Sequence, residues 1–505
     1  MRAAVAVLAM IAILLSVWRL EAGRQGLIIT PFVVPDGPPA TLYLAPGDAA
    51  APVVVVAHGF AGSRPLMEPF ALALAHAGYA VVSFDFLGHG RNPRPMTGDV
   101  TTINGTTRLL QEELRQVAQA ALAHPRADGR LAYLGHSMAS DVIIRAAQEA
   151  PSVQAVVAVS AFSQAVTRDS PANLLLISGE WEGMLRDEAR RILRLTDPAA
   201  GEGDLVGAFA DGTARQAIVA PSVEHVGVLY APTALDAATG WLDAAFGRTG
   251  AQPAQARGGW ILLLLAAITA LAWPLARALP AQPTAQSTAQ STAPPPPPPL
   301  PRRTFLIAAL APALIVPLVL APFDIRVLPV LVADYLALHF AAYGALTLVF
   351  LARAGRLAGQ FPARVWPLAA LVAVAALAGF GLALDRYIAS FLPHPGRLAV
   401  IAGLALGAVP YFLGDALLTE AGRAPLWRVL LVRGAFLVSL VIAVALNFDR
   451  LMFLLIILPV ISLFYLLFGT MAGWIGRRTG LAAVAGLGFG LMLAWSLGVT
   501  FPMFA

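Results

Sequence analysis

The sequence has no cysteine and no lysine, and only 12% of its 505 residues are charged. Without cysteine there are no disulfides, no thiolate metal sites and no thiol nucleophile, while reducing and oxidising compartments both stay open. Without lysine all basic charge falls to arginine, which together with abundant alanine, glycine and proline points to a GC-rich bacterial source. A chain of this length with 58% hydrophobic residues and so little charge is far from the average soluble composition, so part of it belongs in lipid. The net charge of +5 does not imply nucleic acid, because the arginines are scattered among apolar runs and form no aromatic-interleaved basic patch.

Charge divides the chain in two. Residues 20–257 hold 23 acidic side chains against 17 arginines, whereas residues 258–505 hold six against 15. Residues 3–18, AAVAVLAMIAILLSVW, form an apolar run behind Arg2. With Trp18 and Arg19 as an interfacial end and no convincing cleavage site, the run reads as an uncleaved anchor rather than a signal peptide. Eight more apolar segments follow, near residues 259–279, 304–322, 327–352, 365–384, 397–418, 427–446, 451–472 and 480–501, giving about nine membrane-crossing helices by length. An Ala/Gln/Ser/Thr/Pro tract ending in Pro294–Pro299 cannot build a core and reads as a linker. The expected organisation is an anchor over 1–25, an α/β domain over 26–250, a helix over 258–280, a proline-rich linker over 281–303 and a helical bundle over 304–505.

Arginine placement orients these segments. With the N-terminus inside, inner loops hold Arg277, Arg302, Arg303, Arg353, Arg356, Arg364, Arg423, Arg428, Arg477 and Arg478. Outer loops hold fewer, three of them beside an aspartate: Asp324 with Arg326, Asp385 with Arg386 and Asp449 with Arg450. The α/β domain is then expected on the extracytoplasmic side of a multi-pass bacterial inner membrane.

Between the first two spans, short β-branched runs alternate with helical stretches, the pattern of parallel strands joined by crossover helices. Strands are expected at 27–30, 40–44, 53–57, 80–85, 131–134, 155–160, 174–178 and 214–219, and a closing helix over 233–246 packs through Leu235, Trp241, Leu242 and Phe246. Within this region Leu131-Ala-Tyr-Leu-Gly-His-Ser-Met-Ala-Ser140 runs from a strand through Gly135-x-Ser137-x-Ala139 into an apolar-periodic helix. Small residues two positions either side of a serine suit a sharp strand-to-helix turn that presents its hydroxyl. A serine hydroxyl is a weak nucleophile without a base, and His225, after the last expected strand, is placed to supply one.

These residues resemble the α/β-hydrolase superfamily, particularly its monoacylglycerol-lipase-like and dienelactone-hydrolase-like esterase branches, over about residues 27–247. The resemblance extends to His58-Gly59-Phe60 after the strand Val53–Ala57, similar to the family's oxyanion loop, and to Asp85-Phe-Leu-Gly-His-Gly90, similar to its D-x-x-G-H-G loop. It implies an α/β-hydrolase fold with a mostly parallel central sheet and flanking helices, joined here to the all-α bundle of about nine helices. It implies Ser137 as nucleophile, His225 as base, and the backbone N–H groups of Phe60 and Met138 as oxyanion hole. Gly179-Glu-Trp-Glu182 resembles the family's acid-bearing segment, with Glu182 first and Glu180 or Asp187 as alternatives. Ala139 stands where the family usually has glycine. His89 is structural in that family. No metal and no cofactor is expected, and His76 and His124 sit on surface helices.

Only about ten residues separate the strand ending near Phe162 from the one starting at Asn173, so no helical cap is expected over the site. The expected function is hydrolysis of an acyl ester of lipid or cell-envelope origin beside the bilayer. Two alternatives share these residues: an acyltransferase acting on a lipid or envelope glycan, and a non-catalytic transporter or assembly protein using the domain for binding. For the second, the ionisable residues in apolar spans, Asp334, His339, Asp415 and Arg433, are the ones to watch; an interhelical ion pair or a snorkelling end residue is the plainer expectation for Asp415 and Arg433.

Overall fold

The computed structural model describes every residue except 101, 251, 282–298, 324–327, 331–332 and 453. The proline run and the Asp324/Arg326 pair accordingly lie outside the described residues, wholly or for the most part. By contacts the chain forms two compact units, one of residues 15–262, 384–394 and 502–505, the other of residues 1–14, 263–383 and 395–501.

In the first unit an eight-stranded sheet runs β1 (Ile28–Phe32), β2 (Ala40–Leu44), β3 (Ala51–Ala57), β4 (Ala80–Phe84), β5 (Ala127–His136), β6 (Val153–Val159), β7 (Leu174–Gly179) and β8 (Arg215–Ala220), in spatial order β1-β2-β4-β3-β5-β6-β7-β8. Only the β1–β2 and β2–β4 pairings are antiparallel. All eight strands read from the sequence are present, and β5 starts four residues earlier, at Ala127. The valines of β3 explain why so apolar a run is a strand: Val53, Val55 and Ala57 enter one core layer, and Val54 and Val56 the other. The first layer is completed by Leu110, Leu114 and Val117 of α3 (Arg108–Leu122) and Val142 and Ile143 of α4 (Met138–Gln148). The second is completed by Phe70 and Leu74 of α2 (Glu68–His76) and by Leu235, Trp241, Leu242 and Phe246 of the closing helix Pro232–Phe246.

The strand register decides what meets at the C-terminal edge. Ala57 of β3 is level with Gly135 of β5, His136 with Val159 of β6, and Gly179 of β7 with Ala220 of β8. The loops beginning at His58, Ser137, Ser160, Glu180 and Pro221 therefore leave the sheet side by side. At the other end of α2's loop, Glu68 accepts hydrogen bonds from Arg24 and, at 2.9 Å, from Arg257, whose second nitrogen donates to Leu20 O. Arg19 stacks on Trp18 and Trp260, with its guanidinium 5.2 and 5.4 Å from the ring centres. These contacts fasten the end of the first long helix, Arg2–Ala22, and the start of the second, at Gly258, to the domain. Asp385 and Arg386 do not pair with one another: Asp385 accepts from Arg91, and Arg386 donates to Glu21.

Nine helices among the described residues are long and apolar enough to cross a membrane: Arg2–Ala22, Gly258–Ala278, Arg302–Leu320, Ala333–Arg353, Val365–Tyr387, Pro395–Leu418, Leu426–Leu446, Ile457–Thr479 and Ala482–Thr500. In the second unit small residues permit close helix approach. A Cβ on Gly490 would lie 2.7 Å from the Cα of Val409. Asp415 and Arg433 form a two-bonded interhelical ion pair at 3.2 Å, and buried His339 bonds Ser439 Oγ at 3.0 Å. Asp334 accepts from the N–H of Leu328.

Candidate active site

Ser137 caps the start of α4 with φ 55° and ψ −118°, a region non-glycine residues rarely adopt. The turn is held by Ser137 N–H donating to Val159 O at 2.9 Å and by Ser140, whose N–H and hydroxyl both donate to Ser137 O. Gly135 and Ala139 make it sterically possible: a Cβ on Gly135 would lie 2.9 Å from Ala139 O, and Ala139 itself is fully buried. The absence of a Cβ therefore matters at Gly135, while the wall at 139 accommodates a methyl group.

The loop after β3 comes against this turn. A Cβ on Gly59 would be 2.9 Å from Ser137 Cβ and 3.0 Å from His136 O, so only glycine permits the approach. Buried His58 clamps the loop. Its Nε2 accepts from Phe86 N–H at 3.1 Å, which makes Nδ1 the donor to Gly59 O at 2.8 Å. Burial pushes the His58 pKa down, keeping it neutral for this role. Asp85 accepts from the backbone N–H groups of Arg64 and Arg91 and from Arg64 Nε, and so ties the same loop to the D-x-x-G-H-G segment. His89 packs on His58 and edge-on to Phe60, with ring centres 5.1 and 6.0 Å apart. Phe60 and Met138 thus lie on the two segments flanking Ser137, Met138 as the first residue of α4, where helix N–H groups point outward.

Opposite them, His225 Nε2 lies 2.8 Å from Ser137 Oγ, and His225 Nδ1 lies 2.6 Å from Glu182 Oε1. The second carboxylate oxygen of Glu182 accepts from Gly179 N–H at 2.6 Å and Ser160 Oγ at 2.8 Å. Burial alone would raise the Glu182 pKa, but the hydrogen bonds from His225, Gly179 and Ser160 outweigh it and hold the carboxyl below its ordinary value. The alternative acids lie elsewhere. Glu180 accepts from Ser222 N–H at 2.7 Å, and exposed Asp187 pairs with Arg190. Two residues side from Glu180 to Glu182, along an irregular segment before a helix, decide which carboxylate faces the imidazole.

Two supporting residues had no role assigned from sequence. Ser160, at φ 51°, follows β6 and fixes the far oxygen of Glu182. His136 Nε2 donates to the carbonyl of His225 at 2.9 Å. Its burial, followed by the proximity of His225, pushes its pKa down to about 3. His136 stands inside the Gly-His-Ser motif, so its position was visible, but its partner lies 89 residues away.

Chemically, the arrangement pairs a half-buried serine hydroxyl with an imidazole whose second nitrogen faces a carboxylate. Among the described residues no group of three or more His, Asp or Glu side chains is disposed to hold a metal ion.

Comparison with known proteins assigns the domain. Residues 48–188 match the family described as serine aminopeptidase, S33. Among solved structures the chain is similar to a Thermus thermophilus protein (15% identity, TM-score 0.33, 44% of this chain and 99% of that one). It is also similar to a dienelactone hydrolase from Anabaena variabilis (20% identity, TM-score 0.34, 44% and 98%) and to a hypothetical protein from Pseudomonas aeruginosa (14% identity, TM-score 0.29, 41% and 89%). No curated protein matches the chain. With an eight-stranded, mostly parallel sheet in one unit and long apolar helices elsewhere in the sequence, the chain carries an α/β-hydrolase domain whose residues 48–188 match the serine aminopeptidase S33 family.

Proposed function

We propose that the protein is a multi-pass membrane serine hydrolase that cleaves carboxyl esters through an acyl-enzyme on Ser137. The observation that carries this reading is the unbroken line from Ser137 Oγ to His225 Nε2 and from His225 Nδ1 to Glu182. His225 takes the serine proton as Oγ attacks the ester carbonyl, then returns it to the leaving alcohol. Glu182 stays ionised, orients the imidazole and stabilises the imidazolium. The N–H groups of Phe60 and Met138 stabilise the oxyanion. Water activated by His225 then releases the acid. The arginine distribution supports an extracytoplasmic domain.

Membranes containing the protein are treated with a fluorophosphonate probe. Wild type is expected to label and Ser137→Ala is not; an unlabelled wild type, or labelling that survives the substitution, refutes the reading. Repeating the labelling on intact spheroplasts with a membrane-impermeant probe tests the side.

A second reading is favoured by the family match over residues 48–188: removal of an N-terminal amino acid from a peptide. The same acyl-enzyme chemistry serves both. Faster turnover of aminoacyl nitroanilides than of nitrophenyl esters would select it.

A further inference from the structure

The loop that carries Phe60 is held from a distant part of the sequence. Gly62 N–H donates to Gly59 O at 3.0 Å and closes a turn in which Ala61 sits at φ 57°. A residue with a side chain keeps that conformation only where its surroundings impose it. Ser63 follows, just before the short helical turn Arg64–Met67. A serine in that place ordinarily bonds the N–H groups of its own helix. Ser63 makes no such cap. It is buried, and its Oγ accepts instead from the N–H of Ser390, 327 positions along the chain, at 2.9 Å.

Ser390 lies in sequence between two helices long and apolar enough to cross a membrane, Val365–Tyr387 and Pro395–Leu418, yet by contacts Leu384–His394 belong with the sheet. Asp385 folds this segment. Its Oδ1 accepts from the N–H groups of Phe391 and Leu392 at 2.9 and 2.8 Å, which sets the path of the chain next to Ser390. Both Asp385 oxygens also accept from Arg91 Nη2, at 2.8 and 2.6 Å. The two attachments share a root in the domain, because buried Asp85 accepts from the N–H of Arg64, next to Ser63, and from the N–H of Arg91. Their strengths differ. The Arg91 pair is exposed on the arginine side, and such pairs contribute little. Ser63, Ser390 and Phe391 are buried, so loss of the Ser63 acceptor leaves an N–H that water does not readily reach.

We propose that Ser63 and the segment Leu384–His394 are positioning elements of the Ser137 site. The Ser390–Ser63 bond fixes the turn over residues 59–63, and with it the direction of the Phe60 N–H towards the oxyanion. This rests on the hydrolase reading above. Neither serine touches the substrate; each acts through Phe60. An oxyanion donor has to be in place before charge develops, so a displaced turn costs turnover rather than substrate affinity.

The test uses the full chain in lipid nanodiscs with nitrophenyl acetate, with kcat counted per site labelled by saturating fluorophosphonate. Ser63→Ala removes the acceptor and is expected to lower kcat by about 10- to 100-fold, with KM changed by less than about threefold. Ser63→Thr keeps the oxygen and should recover most of the loss. Asp385→Ala, outside the core, releases the turn that presents Ser390 and should lower kcat by a similar factor; it carries the test if Ser63→Ala does not fold. Because both act through one bond, the double variant should be no slower than the slower single variant, whereas independent effects multiply. A trifluoromethyl ketone, whose hemiketal oxygen takes the same donors, should lose affinity for each variant in step with kcat. Wild-type kcat in both single variants, losses confined to KM or to unfolding temperature, or losses that multiply in the double variant overturn the positioning role and leave the hydrolase reading standing. Failure of wild-type labelling overturns both.

Discussion

His136 donates its Nε2 proton to the main-chain carbonyl of His225 at 2.9 Å, so the residue before Ser137 holds the backbone of the histidine that faces it. The rings lie 4.8 Å apart, and His136 is buried with no partner on Nδ1. A charged imidazole there would repel the imidazolium that the proposed mechanism forms on His225, and its low pKa prevents this.

His136→Phe removes the donor and is expected to lower kcat by about 10- to 100-fold, with His136→Gln recovering part of it because the amide can donate. Steady-state turnover of a nitrophenyl ester measures both. The pH dependence of stability has a definite sign. The pKa is about 3 in the fold and about 6.5 unfolded, so the unfolded chain binds the proton first. Stability is fully present above pH 6.5 and lost as pH falls, by about 2 kcal/mol at pH 5 from this residue alone. Denaturant unfolding at pH 7 and 5 should show that slope, reduced in the glutamine variant.

Glu182→Gln keeps the shape but replaces an oxygen acceptor with an amide and removes the charge facing His225. A fall in kcat of about a thousandfold or more is expected, by the logic of acid removal in serine triads. Glu180→Gln and Asp187→Asn should stay within about threefold of wild type, because neither carboxylate reaches the imidazole. Equal losses at all three positions would remove Glu182 from its proposed role.

Glu68→Ala leaves the buried Arg257 guanidinium and the largely buried Arg24 without their shared carboxylate. Stranding charges in this way costs about 3–5 kcal/mol, and Glu68→Gln should cost less by keeping hydrogen-bond acceptance. Unfolding temperatures in detergent, followed by size-exclusion profiles, report the order wild type, glutamine, alanine. The attachment of two membrane helices to the domain weakens in the same order.

The sequence alone determined the strands, the long apolar helices and the small residues of the turn. Each rests on local physics: alternation along Val53–Val56, the length of apolar runs against bilayer thickness, and the steric limit at Gly135. Tertiary structure decided which carboxylate meets His225, what His136 and Ser160 support, and that Asp385 and Arg386 take separate partners. Those contacts join residues 22 to more than 360 positions apart, or choose between carboxylates two residues apart, and no periodicity in the sequence records either. They follow from the order of strands in the sheet and from the register that brings the ends of β3, β5, β6, β7 and β8 to one edge.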